Sequence, residues 1–151
     1  MDDVPAVVEL ARELASHEEE AQFELTEDSL RAAMSGPAAV VSCHVAEADG
    51  DVVGMALWYL IFPTYAGKPA IYLESLYVRP VQRGSGLGKA LLAALAEECE
   101  RHGYAWLDWS VLNRNASAID FYRALGATAV DTQTRYRLTG VALRALPRSH
   151  R

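Results

Sequence analysis

An arginine, a lysine and three alternating glycines make up the segment RGSGLGKA at residues 83–90. A run rich in β-branched and aromatic residues precedes it and a long alanine- and leucine-rich stretch follows, so the segment is predicted to join a strand to a helix. Backbone N–H groups at the start of a helix lie at its positive end, and glycine lets a ligand approach the backbone closely. The pattern predicts an anion site for a phosphate group, with a ligand-free glycine turn as the alternative.

Two common phosphate-binding motifs do not fit this segment. A P-loop has four residues between its glycines and a Ser or Thr after its lysine. Here three residues separate Gly84 from Gly88, and Ala90 follows Lys89. The dinucleotide pattern G-x-G-x-x-G requires a glycine where this chain has Lys89 or Leu91. The pattern that does fit is R-x-x-G-x-G.

That pattern, at residues 83–88, resembles the pyrophosphate loop of the GNAT acetyltransferases, which bind acetyl-CoA. The segment NRNASAIDFYRALGA at 113–127 is similar to the second cofactor segment of the family, and IYLESLYV at 71–78 to the strand whose backbone pairs with the pantetheine arm. The resemblance implies cofactor contacts from Leu76, Tyr77, Val78, Arg83, Gly84, Ser85, Gly86, Leu87, Gly88, Lys89, Asn115, Ala116, Ser117, Ala118 and Tyr122.

Within this superfamily the chain is most similar to the spermidine/spermine (diamine) and thialysine acetyltransferases, over about residues 4–145. These relatives carry a strand of the I-R-x-A type before their first helix, whereas this sequence begins at MDDVPAVVEL, so either the start is shortened or the sheet loses an edge strand. Polyamine-acetylating relatives also have acidic residues where this chain has Ser75 and, approximately, Thr64. The second departure weakens the polyamine interpretation but leaves acetyl transfer intact.

Acetyl transfer from a thioester to an amine needs a neutral amine, a polarised carbonyl and a protonated leaving thiolate. The resemblance implies that Tyr122 is the general acid, with a core aromatic as the alternative. Glu74 is the candidate base, because it lies within an apolar strand and burial makes a carboxylate a stronger base. A structural or cation-holding carboxylate is the alternative for Glu74. A backbone N–H of residues 76–78 would polarise the carbonyl.

The acidic run at residues 18–20 could attract a cationic substrate, although a solvated charge run is the alternative. The resemblance also places the segment at 108–110 beside the acceptor, while core packing is the alternative for its tryptophan. The residues predicted to bind the substrate are His17, Glu18, Glu74, Ser75, Asp108, Trp109 and Ser110.

Length and composition limit the function further. The 151 residues predict one domain, residues 1–145, followed by a basic tail at 146–151 that is expected to be disordered. The formal net charge of -6 argues against a nucleic-acid partner, and no apolar run reaches the roughly 18 residues of a membrane span. Cys43 and Cys99 lack metal-ligand spacing, so we expect reduced thiols in a cytoplasmic protein and no metal.

The element order is predicted as α-α-β-β-β-α-β-α-β, an α/β (α+β) fold with a GNAT-like mixed central sheet, flanked by helices and without its first edge strand. Apolar spacing predicts helices at 4–16, 26–34, 86–102 and 113–126. Alternation and β-branched residues predict strands at 39–48, 52–62, 70–80 and 104–112, with one or two closing strands at 127–140.

Together these features predict an acetyl-CoA-dependent N-acetyltransferase that acts directly on a small cationic amine, whether a diamine, a polyamine or a lysine-like amine. The alternatives are an acetyltransferase for an amine drug or a protein amine, and a non-catalytic CoA-binding sensor. The related enzymes are homodimers, so the resemblance implies a homodimer here.

Overall fold

The computed structural model describes residues 2–146, so the predicted basic tail lies outside the described residues except for Leu146. The chain divides into two compact units, residues 1–110 and 111–151, and each is described by itself. The first unit contains a four-stranded sheet and three α-helices, and the second contains two short helices.

The sheet of the first unit has the order β1-β2-β3-β4, with strands Ser42–Ala48, Asp51–Ile61, Ala70–Val78 and Leu107–Trp109. The first three strands are antiparallel, and β4 is parallel to β3. This mixed sheet confirms the predicted fold class. The strand predicted at 104–112 is shorter than expected, because its pairing with β3 is limited to residues 71–73 of that strand. Among the described residues, no strand precedes the first helix.

Helix α1 (Val4–His17) and helix α2 (Glu27–Met34) cover one face of the sheet. The buried face of α1, which includes Val7 and Leu10, packs with Met55 of β2 in one apolar cluster. Burial of such side chains contributes about 1.5–3 kcal/mol each. Helix α2 begins at a capping box in which Thr26 and Ser29 exchange side-chain and backbone hydrogen bonds at 3.0–3.1 Å.

Helix α3 (Leu87–His102) lies against all four strands. Its buried leucines, Leu91, Leu92 and Leu95, lie outside the α1 cluster, so α3 covers the opposite face. The helix begins after Gly86 and ends before Gly103, both left-handed with φ of 85° and 68°. Glycine suits both ends because a left-handed backbone costs other residues about 1–2 kcal/mol.

The second unit contains helix α4 (Ala116–Ala124) and helix α5 (Gly140–Ala145). The prediction of closing strands at 127–140 is wrong, because residues 127–139 form neither strand nor helix and 128–139 are exposed. Their alternating sequence favours extended backbone, but a strand also needs a hydrogen-bonded partner and a face to bury. No strand within the described range pairs with this segment.

Candidate active site

The glycine loop between β3 and α3 has an open outer surface. Gly84 and Gly86 have φ of 81° and 85°, and a Cβ atom added at either would meet no protein atom within 4 Å. Gly88 lies in the first turn of α3, and no side chain caps that helix start. The N–H groups of this turn are therefore available to an anion, as the spacing of the glycines predicts.

Arg83 is held at the end of β3. Its Nε donates a hydrogen bond to the carbonyl oxygen of Val78 at 3.0 Å, and its guanidinium lies 5.5 Å from the centre of the Tyr77 ring. Ser85 donates to the carbonyl oxygen of Gln82 and closes the short 3-10 turn, Pro80–Gln82, that leads into the loop. These contacts fix the entry to the loop and bring a cation beside it.

One edge of β3 is available beyond residue 73. Strand β4 pairs with β3 only from Ile71 to Leu73, so residues 74–78 have no strand partner on that edge among the described residues. The side chains of Tyr77 and Val78 are buried. What this part of β3 offers a ligand is therefore its backbone N–H and C=O groups, as in strand addition.

A bulge in β3 brings two consecutive side chains to the same face. Leu57 pairs with Ser75 and Trp58 with Leu73, so Glu74 is the extra residue without a partner on β2. Neighbouring strand residues normally point to opposite faces, and a bulge breaks that alternation. Glu74 and Ser75 consequently both line one cavity.

This cavity, of about 450 Å³, lies between the sheet and the segment that includes α1 and α2. Its walls are mainly apolar and include Leu14, Phe23, Leu25 and Leu57. The polar side chains that line it are Glu18, Glu20, Tyr59, Glu74 and Ser75, and no described lining residue is basic. An apolar cavity with three carboxylates suits an amine whose cationic group is attached to a methylene chain.

Glu74 is not buried, contrary to the sequence-based expectation. Its side chain is exposed, because the bulge directs it into the open cavity rather than into the closed core. Its Oε2 accepts a hydrogen bond from Tyr59 Oη at 3.3 Å. The predicted base therefore lies in the cavity beside a phenol, and it is not buried.

The predicted acceptor residues of β4 do not share one face. Tyr72 is in register with Asp108, and its hydroxyl lies 2.8 Å from Ser110 Oγ. Asp108 and Ser110 therefore lie on the face of Tyr72, where Asp108 accepts a hydrogen bond from Trp106 at 2.8 Å. Trp109 is in register with the buried Leu73 and lies on the other face. None of the three lines the cavity, and neither does His17, the last residue of α1.

The second cofactor segment lies in the second unit. Asn115 caps α4 through Oδ1, which accepts from the N–H of Ala118 at 3.2 Å and from the hydroxyl of Ser117 at 3.3 Å. Tyr122 is half-buried on the same helix, with its ring 5.4 Å from that of Phe121. Asparagine is a favoured N-cap residue, so the sequence predicts this use of an asparagine at the helix start.

Two cavity residues were missed as individual site candidates. Tyr59 lies within a run of apolar strand residues, and its nearness to Glu74 depends on strand register. Glu20 belongs to the acidic run, in which Glu18 and Glu20 line the cavity and Glu19, with a left-handed backbone at φ of 59°, does not. The sequence of a charge run does not show which of its residues line a cavity, because this depends on the three-dimensional path of the chain.

Within residues 2–146 no three His, Cys, Asp or Glu side chains form a group that could hold a metal ion. In the same range no helix combines the length and apolar character needed to cross a bilayer.

Sequence comparison places the chain among known enzymes. A model of the acetyltransferase (GNAT) family matches residues 5–127. The thialysine N-epsilon-acetyltransferase of Bos taurus is 36% identical over 156 aligned positions, which cover 95% of this chain and 91% of that protein. The L-ornithine N5-acetyltransferase of Arabidopsis thaliana is 35% identical over 98 positions, covering 65% of this chain and 43% of that protein.

Structural comparison agrees on the fold. A crystal structure of an aminoglycoside acetyltransferase from an uncultured soil metagenomic sample, in complex with sisomicin, superposes with a TM-score of 0.76. The match covers 91% of this chain and 90% of that one at 22% sequence identity. Likeness at that level of identity concerns the architecture alone.

Proposed function

The chain belongs to the acetyltransferase (GNAT) family, and from this premise we propose that it transfers the acetyl group of acetyl-CoA directly to the amino group of a small cationic amine. The observation that carries the proposal is the cavity beside β3. It combines apolar walls with the carboxylates of Glu18, Glu20 and Glu74. Opposite charge attracts the cationic ends of the amine, and apolar walls accept its methylene groups.

The residues fit the cofactor at two places in the first unit. The uncapped start of α3 and the open outer surface of Gly84 and Gly86 suit the pyrophosphate, with Arg83 and Lys89 as nearby cations. The unpaired edge of β3 at Leu76–Val78 suits the amide groups of the pantetheine arm. In the second unit we assign Asn115–Ala118 and Tyr122 to the cofactor from the family resemblance.

Bound acetyl-CoA would supply a thioester whose acetyl group is the one transferred. Glu74 takes a proton from the substrate ammonium, directly or through a water, so that nitrogen has a lone pair. A backbone N–H of β3 at residues 76–78 donates to the carbonyl oxygen as negative charge develops there. As the carbon–nitrogen bond replaces the carbon–sulfur bond, Tyr122 would donate its phenolic proton to the departing sulfur, and the second proton lost from the nitrogen would restore the phenol.

Within this class we favour a lysine-like amine or a diamine as the acceptor. The relatives described above carry the names of thialysine and ornithine, both amines on short chains. Ser75 occupies a cavity position where a long polycation would gain from a further acid. Drug amines and protein amines remain as alternative acceptors, to be resolved by assay.

We also propose that the chain forms a homodimer in the cytoplasm. Large apolar side chains are exposed in the single chain within residues 130–146, which suits a protein–protein contact. Both Cys43 and Cys99 are free, as expected in a reducing compartment. Light scattering on the purified chain tests the dimer, because a monomeric mass at micromolar concentration contradicts it.

The activity is tested by release of free CoA thiol from acetyl-CoA in the presence of an amine panel. The panel contains a short diamine, lysine, ornithine, spermidine, an aminoglycoside and a peptide. We expect release above the amine-free rate with the diamine or a lysine-like amine. Calorimetric binding of CoA without turnover of any amine supports the sensor alternative instead, and the absence of CoA binding contradicts the whole assignment.

A further inference from the structure

The hydroxyl of Tyr59 and the carboxylate of Glu74 meet across two neighbouring strands. Tyr59 lies on β2 and Glu74 on β3, and Tyr59 Oη donates to Glu74 Oε2 at 3.3 Å. Both side chains line the same cavity. The sequence patterns assign no role to Tyr59. Its contact with the predicted base therefore calls for an explanation of its own.

From this contact we propose that Tyr59 is a positioning residue, which orients the Glu74 carboxylate for proton transfer from the acceptor amine. The inference rests on the proposed function, since it assigns Glu74 the role of base. Tyr59 engages one of the two carboxylate oxygens, so the other is left to accept the proton. An exposed glutamate otherwise samples several rotamers. Fixing its carboxylate increases the fraction of time that it spends in the geometry that allows proton transfer.

The bulge explains why Glu74 needs such a partner. As the extra residue of β3, Glu74 has no cross-strand neighbour on β2 to pack against. Tyr59 compensates for this, because its own strand position is fixed by pairing with Tyr72. Cross-strand pairs of this kind restrict side-chain motion on the sheet surface.

The ring of Tyr59 is itself restrained. Its centroid lies 5.3 Å from that of Tyr72, at an angle of 36° between the rings, and the Tyr72 hydroxyl lies 2.8 Å from Ser110 Oγ. Aromatic rings at such separations attract each other beyond the effect of the area that they bury. The Tyr59 ring that carries the donor to Glu74 therefore packs on Tyr72 of β3, and Tyr72 in turn bonds to Ser110, the residue after β4.

No basic side chain competes with Tyr59 for Glu74 among the described residues that line the cavity. The other charged groups there are the carboxylates of Glu18 and Glu20, from the segment after α1, and an ionised carboxylate cannot donate a hydrogen bond to Glu74. Loss of the Tyr59 hydroxyl should therefore free the Glu74 carboxylate to move, which a kinetic assay can detect.

The test is a double-mutant cycle with Tyr59→Phe and Glu74→Gln, in steady-state assays with the amine that the wild type uses. Tyr59→Phe keeps the ring and removes the hydroxyl. We expect kcat to fall roughly five- to tenfold, less than the 10²–10⁴-fold typical of losing a general base, with KM for the amine within twofold.

In the Glu74→Gln background, Tyr59→Phe should have no further effect on kcat, since the two residues act together. Tyr72→Phe is the comparison variant, because it keeps the ring against Tyr59 and removes only the neighbouring hydroxyl that bonds to Ser110, so it should lower kcat less than Tyr59→Phe does. Melting temperature and CoA affinity report whether each variant is folded.

The inference is overturned by wild-type kcat in Tyr59→Phe, by a loss that appears as increased KM alone, or by a loss of equal size in the Glu74→Gln background. Failure of the proposed function is a different result, because the wild type itself would then turn over no amine. A Glu74→Gln variant with wild-type kcat would separately remove the role of Glu74 as base, and the inference with it.

Discussion

Replacing Gly86 by alanine separates the ligand role of the glycine loop from its role in folding. Gly86 has φ of 85°, where an L-residue is strained, and an added Cβ would meet no protein atom within 4 Å. The substitution should therefore lower the free energy of unfolding only through backbone strain, by about 1 kcal/mol. For a chain of this length that corresponds to a decrease in melting temperature of roughly 2–4 °C.

The effect on cofactor affinity should be larger than the effect on stability. The space into which the Cβ would project is empty of protein, and it is the space that we assign to the pyrophosphate. A methyl group there prevents the close approach on which amide hydrogen bonds depend. We expect Kd for CoA to rise at least tenfold, equivalent to about 1.4 kcal/mol of binding free energy.

Gly50→Ala is a closely matched control. Gly50 lies in the β1–β2 hairpin with φ of 86°, and an added Cβ there would also meet nothing within 4 Å. Both variants are measured by calorimetric titration with CoA and by thermal unfolding. Similar melting temperatures with weakened binding only in Gly86→Ala are expected. Wild-type affinity in Gly86→Ala, or equal weakening in both variants, would refute the reasoning.

Three further predictions follow from residues of the site and the sheet. Tyr122→Phe should lower kcat roughly 10²-fold with Kd for CoA within twofold, and equal loss of both in kinetics and calorimetry would indicate a packing role instead. Glu18→Gln combined with Glu20→Gln should raise KM for a cationic amine roughly three- to tenfold in steady-state assays, whereas Glu19→Gln, which lies off the cavity, should change it less than twofold. Burial raises the pKa of the Cys43 thiol from 9.0 to about 11, so the native state holds this proton more tightly than the unfolded chain does. Stability is therefore full below pH 9 and should fall as pH rises from about 9 to 11, and urea unfolding should show a shallower fall in Cys43→Ala.

Local sequence signals predicted most of the elements. The alanine- and leucine-rich stretch with Gly103 after it predicted α3 and its end, and Thr26 marked the start of α2. These signals are local because a helix makes its hydrogen bonds within one segment. The glycine loop was predictable for the same reason, since its residues are consecutive.

Features that depend on distant strands could not be predicted in this way. The exposure of Glu74 follows from the bulge, in which β3 has one residue more than the paired part of β2. The sequence of β3 alone does not reveal this extra residue. The contact between Tyr59 and Glu74 depends on the same pairing. The segment at 127–140 has strand propensity without a partner strand among the described residues, so the propensity alone was misleading.

The irregular pairing at Glu74 separates two properties of one cavity wall. Because the adjacent positions 74 and 75 both line the cavity, the carboxylate that we propose as the base can stay while its neighbour varies. Ser75 pairs with Leu57 through its backbone, so an altered side chain there leaves the strand pairing undisturbed. A single substitution at position 75 would therefore change what this wall presents to an acceptor without changing the sheet or Glu74.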